Sequence, residues 1–210
     1  MPVTSLLFSE IRQYSGDIMI NNKKLFTIAL LTLSLLVAGM VPARAGGFLT
    51  NSDYIAIRQL IEGYPAILDT CTNSGYDYAD QYTDDGTFGV SSKWGDDGKV
   101  WYKGREELAV AAGGGKNGCH RNGGGRHHLV TNIVIKAAPG GATARSTLLM
   151  ITEGEPSTIQ WQGGYQDHLV KTSKGWRFKS RRHVWPGYDW PDTAAEMMER
   201  LKKQSESASH

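Results

Sequence analysis

His127-His128-Leu129-Val130-Thr131-Asn132-Ile133-Val134-Ile135-Lys136-Ala137 opens the part of the chain that decides the fold. The run is rich in Val, Ile and Leu, and the turn Pro139-Gly140-Gly141 follows it. Branched side chains suit a pleated backbone, and Pro and Gly punctuate it. Three more runs of this kind follow: Ala142 to Thr152, Ile159 to Val170 and Trp176 to Val184. Thr172-Ser173-Lys174-Gly175 separates the last two. Strands joined by polar turns pair as hairpins, so a largely antiparallel sheet is predicted.

Upstream the period changes. Ile55, Ile57, Leu60, Ile61, Tyr64, Ile67 and Leu68 recur at helical spacing, which predicts a helix from Asp53 to about Asp69. Asn51 or Ser52 is its expected cap, and Pro65 is expected to kink it. A polar loop, Thr70 to Gly75, leads to a short helix, Tyr76 to Tyr82, and a turn at Thr83-Asp84-Asp85-Gly86. Short strands are read at Thr87 to Val90 and Val100 to Tyr102, and a third helix at Arg105 to Ala112. Gly113 to Gly125 reads as a flexible flap. It lacks the preceding strand and the Ser or Thr after Lys116 that a phosphate loop needs. Pro191 to Gln204 is a predicted terminal helix with Ala194, Met197, Met198 and Leu201 on one face, before a polar tail. Helices first and a strand meander last indicate an α+β fold.

The N-terminus reads as an export signal. Lys23-Lys24 precede an apolar run from Leu25 to Met40, and Ala43-Arg44-Ala45 gives a cleavage pattern. Residues 1–45 are then a signal peptide with an N-terminal extension, and Met19 is an alternative start. The folded domain covers 46–190, and 191–210 form the C-terminal helix and tail. A periplasmic or secreted protein is expected, with an uncleaved anchor as the alternative. The chain has 23 basic and 21 acidic residues and a net charge of +2 without a basic stripe, so nucleic acid is not an expected partner. An oxidising compartment permits a Cys71–Cys119 disulfide, against two buried thiols or a nucleophile. Trp94, Trp101, Trp161, Trp176, Trp185 and Trp190 suit either core packing or a pocket for a flat ligand. His120, His127, His128, His168 and His183 lack tight metal-ligand spacing, and the Gly-x-Ser-x-Gly elbow of serine hydrolases is absent.

Several segments, taken in order, carry a family resemblance. Ala56-Ile57-Arg58-Gln59-Leu60-Ile61 with Tyr64 and Leu68-Asp69 resembles the first helix of SnoaL-like domains. Tyr82 to Phe88, Gly104-Arg105-Glu106-Glu107-Leu108, His127 to Asn132, Gly164-Tyr165-Gln166-Asp167 and Gly175-Trp176-Arg177-Phe178 with Arg181-Arg182 look like later segments of the same family. The resemblance implies a cone-shaped, cystatin-like curved antiparallel sheet wrapped around helices, as in nuclear transport factor and ketosteroid isomerase folds. It also places Asp69 and His128 on the catalytic acid and histidine of dehydratase and dehydrochlorinase relatives. Tyr64 falls on a tyrosine of a bile-acid dehydratase. Arg181 falls on a last-strand arginine, with Arg182 one residue away as the alternative.

The chemistry is coherent from the residues themselves. A helix-end aspartate can fix the tautomer of a strand histidine, whose other nitrogen then takes a proton. Tyr64 and Arg181 would stabilise negative charge on oxygen. Trp101, Tyr102, Asn132, Trp161 and Tyr165 are the expected substrate-contacting residues. His127, beside His128, should face the opposite way. The expected function is a lyase acting without cofactor or metal on a small hydrophobic, aromatic or polycyclic molecule. It would work by elimination, dehydration or carbon–carbon cleavage, such as deformylation of a lignin-derived diaryl compound. An isomerase, or a ligand-binding or assembly module with an inert pocket, is the alternative. The other expected partners are copies of the chain, as a dimer or trimer, with no membrane once the signal is removed.

Overall fold

The computed structural model describes residues 48–120 and 126–208. The expected signal peptide lies outside the described residues, as does part of the expected flap, 121–125.

Helix α1 (Asn51–Thr70) is capped by Thr50, one residue before the expected Asn51 or Ser52. The Thr50 hydroxyl accepts from the Asp53 N–H at 3.2 Å, and Asp53 Oδ2 accepts from the Thr50 N–H at 3.0 Å. This reciprocal box selects the cap, because Asp53 stands three residues beyond it. Asp53 Oδ1 also accepts from Trp176 Nε1 at 3.0 Å and Lys171 Nζ at 2.7 Å, tying the helix start to the sheet. The helix continues through Pro65 and ends at Cys71, which is left-handed at φ 51°.

A 3₁₀ turn (Thr72–Gly75) and a short α2 (Tyr76–Ala79) follow. Then come β1 (Tyr82–Ser91), β2 (Lys99–Lys103), α3 (Gly104–Ala111), β3 (Arg126–Ala138), β4 (Gly141–Thr152), β5 (Ile159–Thr172), β6 (Gly175–Val184) and α4 (Ala194–Ala208). The sheet order is β2-β1-β6-β5-β4-β3. The β1–β6 pair is parallel and the others are antiparallel, so the sheet is mixed rather than purely antiparallel.

Two local expectations change. The predicted turn at residues 83–86 lies inside β1. Tyr82 pairs with Phe178 and Thr87 with Ser180, so four residues bulge against one, and the turn chemistry bends the strand instead of ending it. The second helix accordingly ends at Ala79. The first part of the glycine-rich stretch is packed, not a free flap. Gly115 N donates to Ser74 O at 2.8 Å and Gly114 N to Ala109 O at 3.0 Å. A Cβ on Gly114 would stand 1.9 Å from Ser74 O, so only glycine permits the approach.

The core lies between α1 and the concave side of the sheet. Ile57, Ile61 and Leu68 pack there with Leu148, Leu169 and Phe178, all buried. Among the described residues no helix is long and apolar enough to cross a membrane.

Cys71 and Cys119 form a disulfide 48 residues apart, joining the end of α1 to the chain after α3. Closing a loop of this length stabilises the fold by on the order of 4 kcal/mol in the chain-entropy model. Denatured, unreduced protein taken from its native compartment is expected to show no titratable thiol. Reductant should lower its urea midpoint; two reactive thiols in that sample would refute the link.

Candidate active site

A cavity of about 200 Å³ opens between the end of α1, the sheet and α4. At its polar end stands a pair of side chains delivered by different elements. The last turn of α1 carries Asp69, and β3 carries His128. Asp69 Oδ1 lies 2.5 Å from His128 Nδ1, and Asp69 Oδ2 accepts from the His128 backbone N–H at 2.8 Å. Both side chains are almost enclosed. One carboxylate thus holds the ring and the strand that bears it. With Nδ1–H donating to Asp69, Nε2 keeps its lone pair and is the nitrogen left for the cavity that His128 lines. His127 points the other way, exposed and paired with Glu153, as strand alternation requires.

Beside His128 the floor is phenolic. Tyr64 is buried, and its hydroxyl lies 3.2 Å from that of Tyr165. Tyr78 also lines the cavity. Burial raises the pKa of all three phenols, so each hydroxyl keeps its proton and can donate.

Arg181 sits beneath this floor and does not line the cavity, contrary to the expectation of direct contact. Cross-strand register sets it opposite Asp167, and Nε and Nη2 donate to the two carboxylate oxygens at 2.8 Å each. Its guanidinium lies 4.1 Å from the Tyr64 ring, 4.3 Å from Tyr165 and 4.0 Å from Phe178. Burial works against the cation, but Asp167 prevails and raises the Arg181 pKa. Arg181 therefore reaches the cavity only through the tyrosines. Arg182, one residue on, points to the other side and donates to Asp97 O at 2.7 Å.

Trp101, Tyr102, Trp161 and Tyr165 line the cavity as expected, but Asn132 does not. It stands at a bulge in β3 with φ 52°, exposed, donating to Thr147 Oγ1 at 3.3 Å. The bulge breaks the alternation that would have turned it inward. Sequence reading missed His183, considered there only as a metal ligand. It is buried, lines the cavity and lies 3.3 Å from Gln162 O through Nε2. Burial lowers its pKa from 6.5 to about 4, and His128 adds to the effect, while the Gln162 bond opposes it. Its place two residues after Arg181 on β6 was the available signal, since the two share a face.

The roof comes from the C-terminal segment. Trp190 and Met197 are buried with Val90 in a cluster that includes Trp101, Trp161 and Trp185. Lys99 Nζ donates to Trp190 O at 2.6 Å, and Trp190 Nε1 to Ser91 O at 3.0 Å. Among the described residues no three His, Cys, Asp or Glu side chains gather in a way that could hold a metal ion.

Two measurements check this electrostatic picture. Asp167→Ala leaves a buried guanidinium without its counter-charge and should cost about 3–5 kcal/mol in urea denaturation; a loss below about 1 kcal/mol would contradict the burial of the pair. His183 is neutral in the folded protein down to about pH 4 but takes a proton near pH 6.5 when unfolded. Stability is therefore lost as the pH falls from 6.5 toward 4, at about 1.4 kcal/mol per unit. Between pH 7 and 5 the wild type should lose about 2 kcal/mol more than His183→Gln. Equal losses in the two proteins would sink the assignment.

Comparison with known proteins agrees with this architecture. Residues 50–182 match the model of the SnoaL-like domain. No curated protein matches the chain. A Mycobacterium tuberculosis protein of unknown function superposes with a TM-score of 0.51 at 27% identity, covering 63% of this chain and 76% of its own. A nuclear-transport-factor-like protein with a cystatin-like fold from Novosphingobium aromaticivorans gives 0.51 at 21% identity, covering 63% and 81%. A cystatin-like protein of unknown function from Nostoc punctiforme gives 0.50 at 21%, covering 66% and 94%. The match spans α1 through β6 up to Arg182, the segment that carries Tyr64, Asp69, His128 and Arg181, and on it the chain belongs to the SnoaL-like domain family.

Proposed function

We propose that the protein is a cofactor-independent lyase that starts elimination or carbon–carbon cleavage by proton abstraction at His128. The observation that carries the reading is the grip of one carboxylate, Asp69, on both the ring and the backbone of a histidine at the end of a mostly apolar cavity. The backbone hold joins helix to sheet, and the ring hold fixes the tautomer that a general base needs.

In a dehydration, Nε2 of His128 takes a proton from carbon next to a carbonyl. The freed electron pair forms the new double bond as the carbon–oxygen bond to the leaving hydroxyl breaks. Asp69 stabilises the imidazolium that forms. The imidazolium then returns its proton to the departing hydroxyl, which leaves as water. The Tyr64 and Tyr165 hydroxyls, protonated and close together, are suited to donate to the carbonyl oxygen as charge builds on it. Arg181 behind them makes a developing anion cheaper without touching substrate. The Cys71–Cys119 disulfide supports the further reading that the protein works in the periplasm or outside the cell.

A β-hydroxy ketone carrying one phenyl ring is a suitable test substrate, because its dehydration gives a conjugated product that absorbs in the ultraviolet. Asp69→Asn and His128→Ala should each lower kcat by about 10²- to 10⁴-fold with the fold retained by circular dichroism. The double variant should be little worse than either single one, since the pair acts as a unit. Turnover by either single variant at the wild-type rate would defeat the mechanism.

A further inference from the structure

We infer that the cavity selects an uncharged substrate with a single aromatic ring over two-ring and anionic molecules. This rests on the proposed lyase reading only for what happens at His128; the size and charge arguments come from the walls.

The volume is the first argument. A cavity of about 200 Å³ is small. An apolar cavity of about 150 Å³ holds one benzene, and sites for drug-sized molecules start near 300 Å³. One ring with a short substituent fills this space, and the second ring of a diaryl skeleton would have to project through the open mouth into solvent. A lignin-derived diaryl compound would leave one ring outside the space.

The walls give the second argument. Trp101 and Trp161 form one side, with their ring planes held by neighbours. Trp101 Nε1 donates to Pro191 O at 3.3 Å and its ring packs against Trp190 at 5.6 Å. Trp161 lies 5.7 Å from Trp190 and 5.8 Å from His183. Met150 and the α4 methionines Met197 and Met198 face the same space. Rigid indoles and polarizable thioethers together suit an aromatic ring. Met198 of α4 lines the mouth of the space, with most of its side chain facing solvent.

Charge is the third argument. The polar groups at the closed end are the phenols and the two histidines, and His183 is neutral above about pH 4; Arg181 beneath the phenols is paired with Asp167, so the two together bring no net charge to the cavity. Asp69 stands behind His128, no carboxylate lines the cavity itself among the described residues, and the one cationic side chain that does, Arg126, is exposed. An exposed cation compensates poorly for moving an anion out of water against indole and thioether walls.

Calorimetric titration of the full-length wild-type chain with three unreactive ligands tests the inference. The ligands are benzylacetone, its anionic counterpart 3-phenylpropanoate, and the biphenyl analogue of benzylacetone. None carries a leaving group, so binding is read independently of the proposed chemistry. Benzylacetone should bind at least about tenfold more tightly than either of the others. Met198→Ala, which widens the mouth, should tighten the biphenyl ligand by about tenfold relative to benzylacetone. The inference is overturned if 3-phenylpropanoate or the biphenyl ligand binds the wild type as tightly as benzylacetone, if none of the three binds, or if Met198→Ala brings no gain for the biphenyl ligand. If the pattern holds while Asp69→Asn and His128→Ala keep full turnover, the lyase mechanism fails and the size selection stands.

Discussion

The buried guanidinium of Arg181 is the constraint around which the site is arranged. A fully enclosed cation costs several kcal/mol in lost hydration unless its surroundings replace that hydration. Asp167 neutralises it through two parallel hydrogen bonds. Nη1, buried without a hydrogen-bond partner, is left to the aromatic faces around it. Three elements must therefore meet at one point: β5 supplies Asp167 and Tyr165, β6 supplies Arg181 and Phe178, and α1 supplies Tyr64. Holding Tyr64 there fixes the rotation of α1 about its axis. Leu68, one turn later, then faces the cavity, and the next residue, Asp69, reaches the edge of the sheet at His128.

Periodicity carried most of the fold. The helical spacing from Ile55 to Leu68 and the four β-rich runs placed α1 and β3 to β6 within a few residues. What periodicity could not reach were decisions made by close packing. The residues 83–86 have turn chemistry, and only pairing with β6 makes them a bulge inside β1. The glycines after α3 look mobile in isolation, and only the approach of Ser74 explains why they carry no side chain. The register was less legible at Asn132, because a bulge on an edge strand leaves no trace in the pattern of polar and apolar residues.

The site was legible in the same proportion. Asp69, His128 and Tyr64 were readable because the resemblance assigned them and each sits at a regular position of its element. Arg181 was placed on the right strand but given the wrong depth, since charge alone suggests contact with a substrate and does not reveal a partner such as Asp167. His183 was overlooked because a lone histidine in a strand has no signature. The contribution of α4 was also hidden: a helix with Met197 and Met198 on one face could have packed anywhere, and Trp190 pins the segment that leads into it onto β1 and β2.

The Asp69–His128 pair also answers two structural needs that exist before any chemistry. A carboxylate at a helix C-terminus faces the negative end of the helix dipole and needs donors. An edge strand such as β3 has N–H groups that point away from its only neighbour, β4, and need acceptors. The His128 N–H meets Asp69 Oδ2, so each element satisfies the other. The second carboxylate oxygen is then already beside the ring of the same residue, and its bond to Nδ1 requires no further ordering of either chain segment. A histidine held in this way inherits its orientation from the joint between helix and sheet. The rigidity of the dyad therefore follows from the stability of the fold rather than drawing on it.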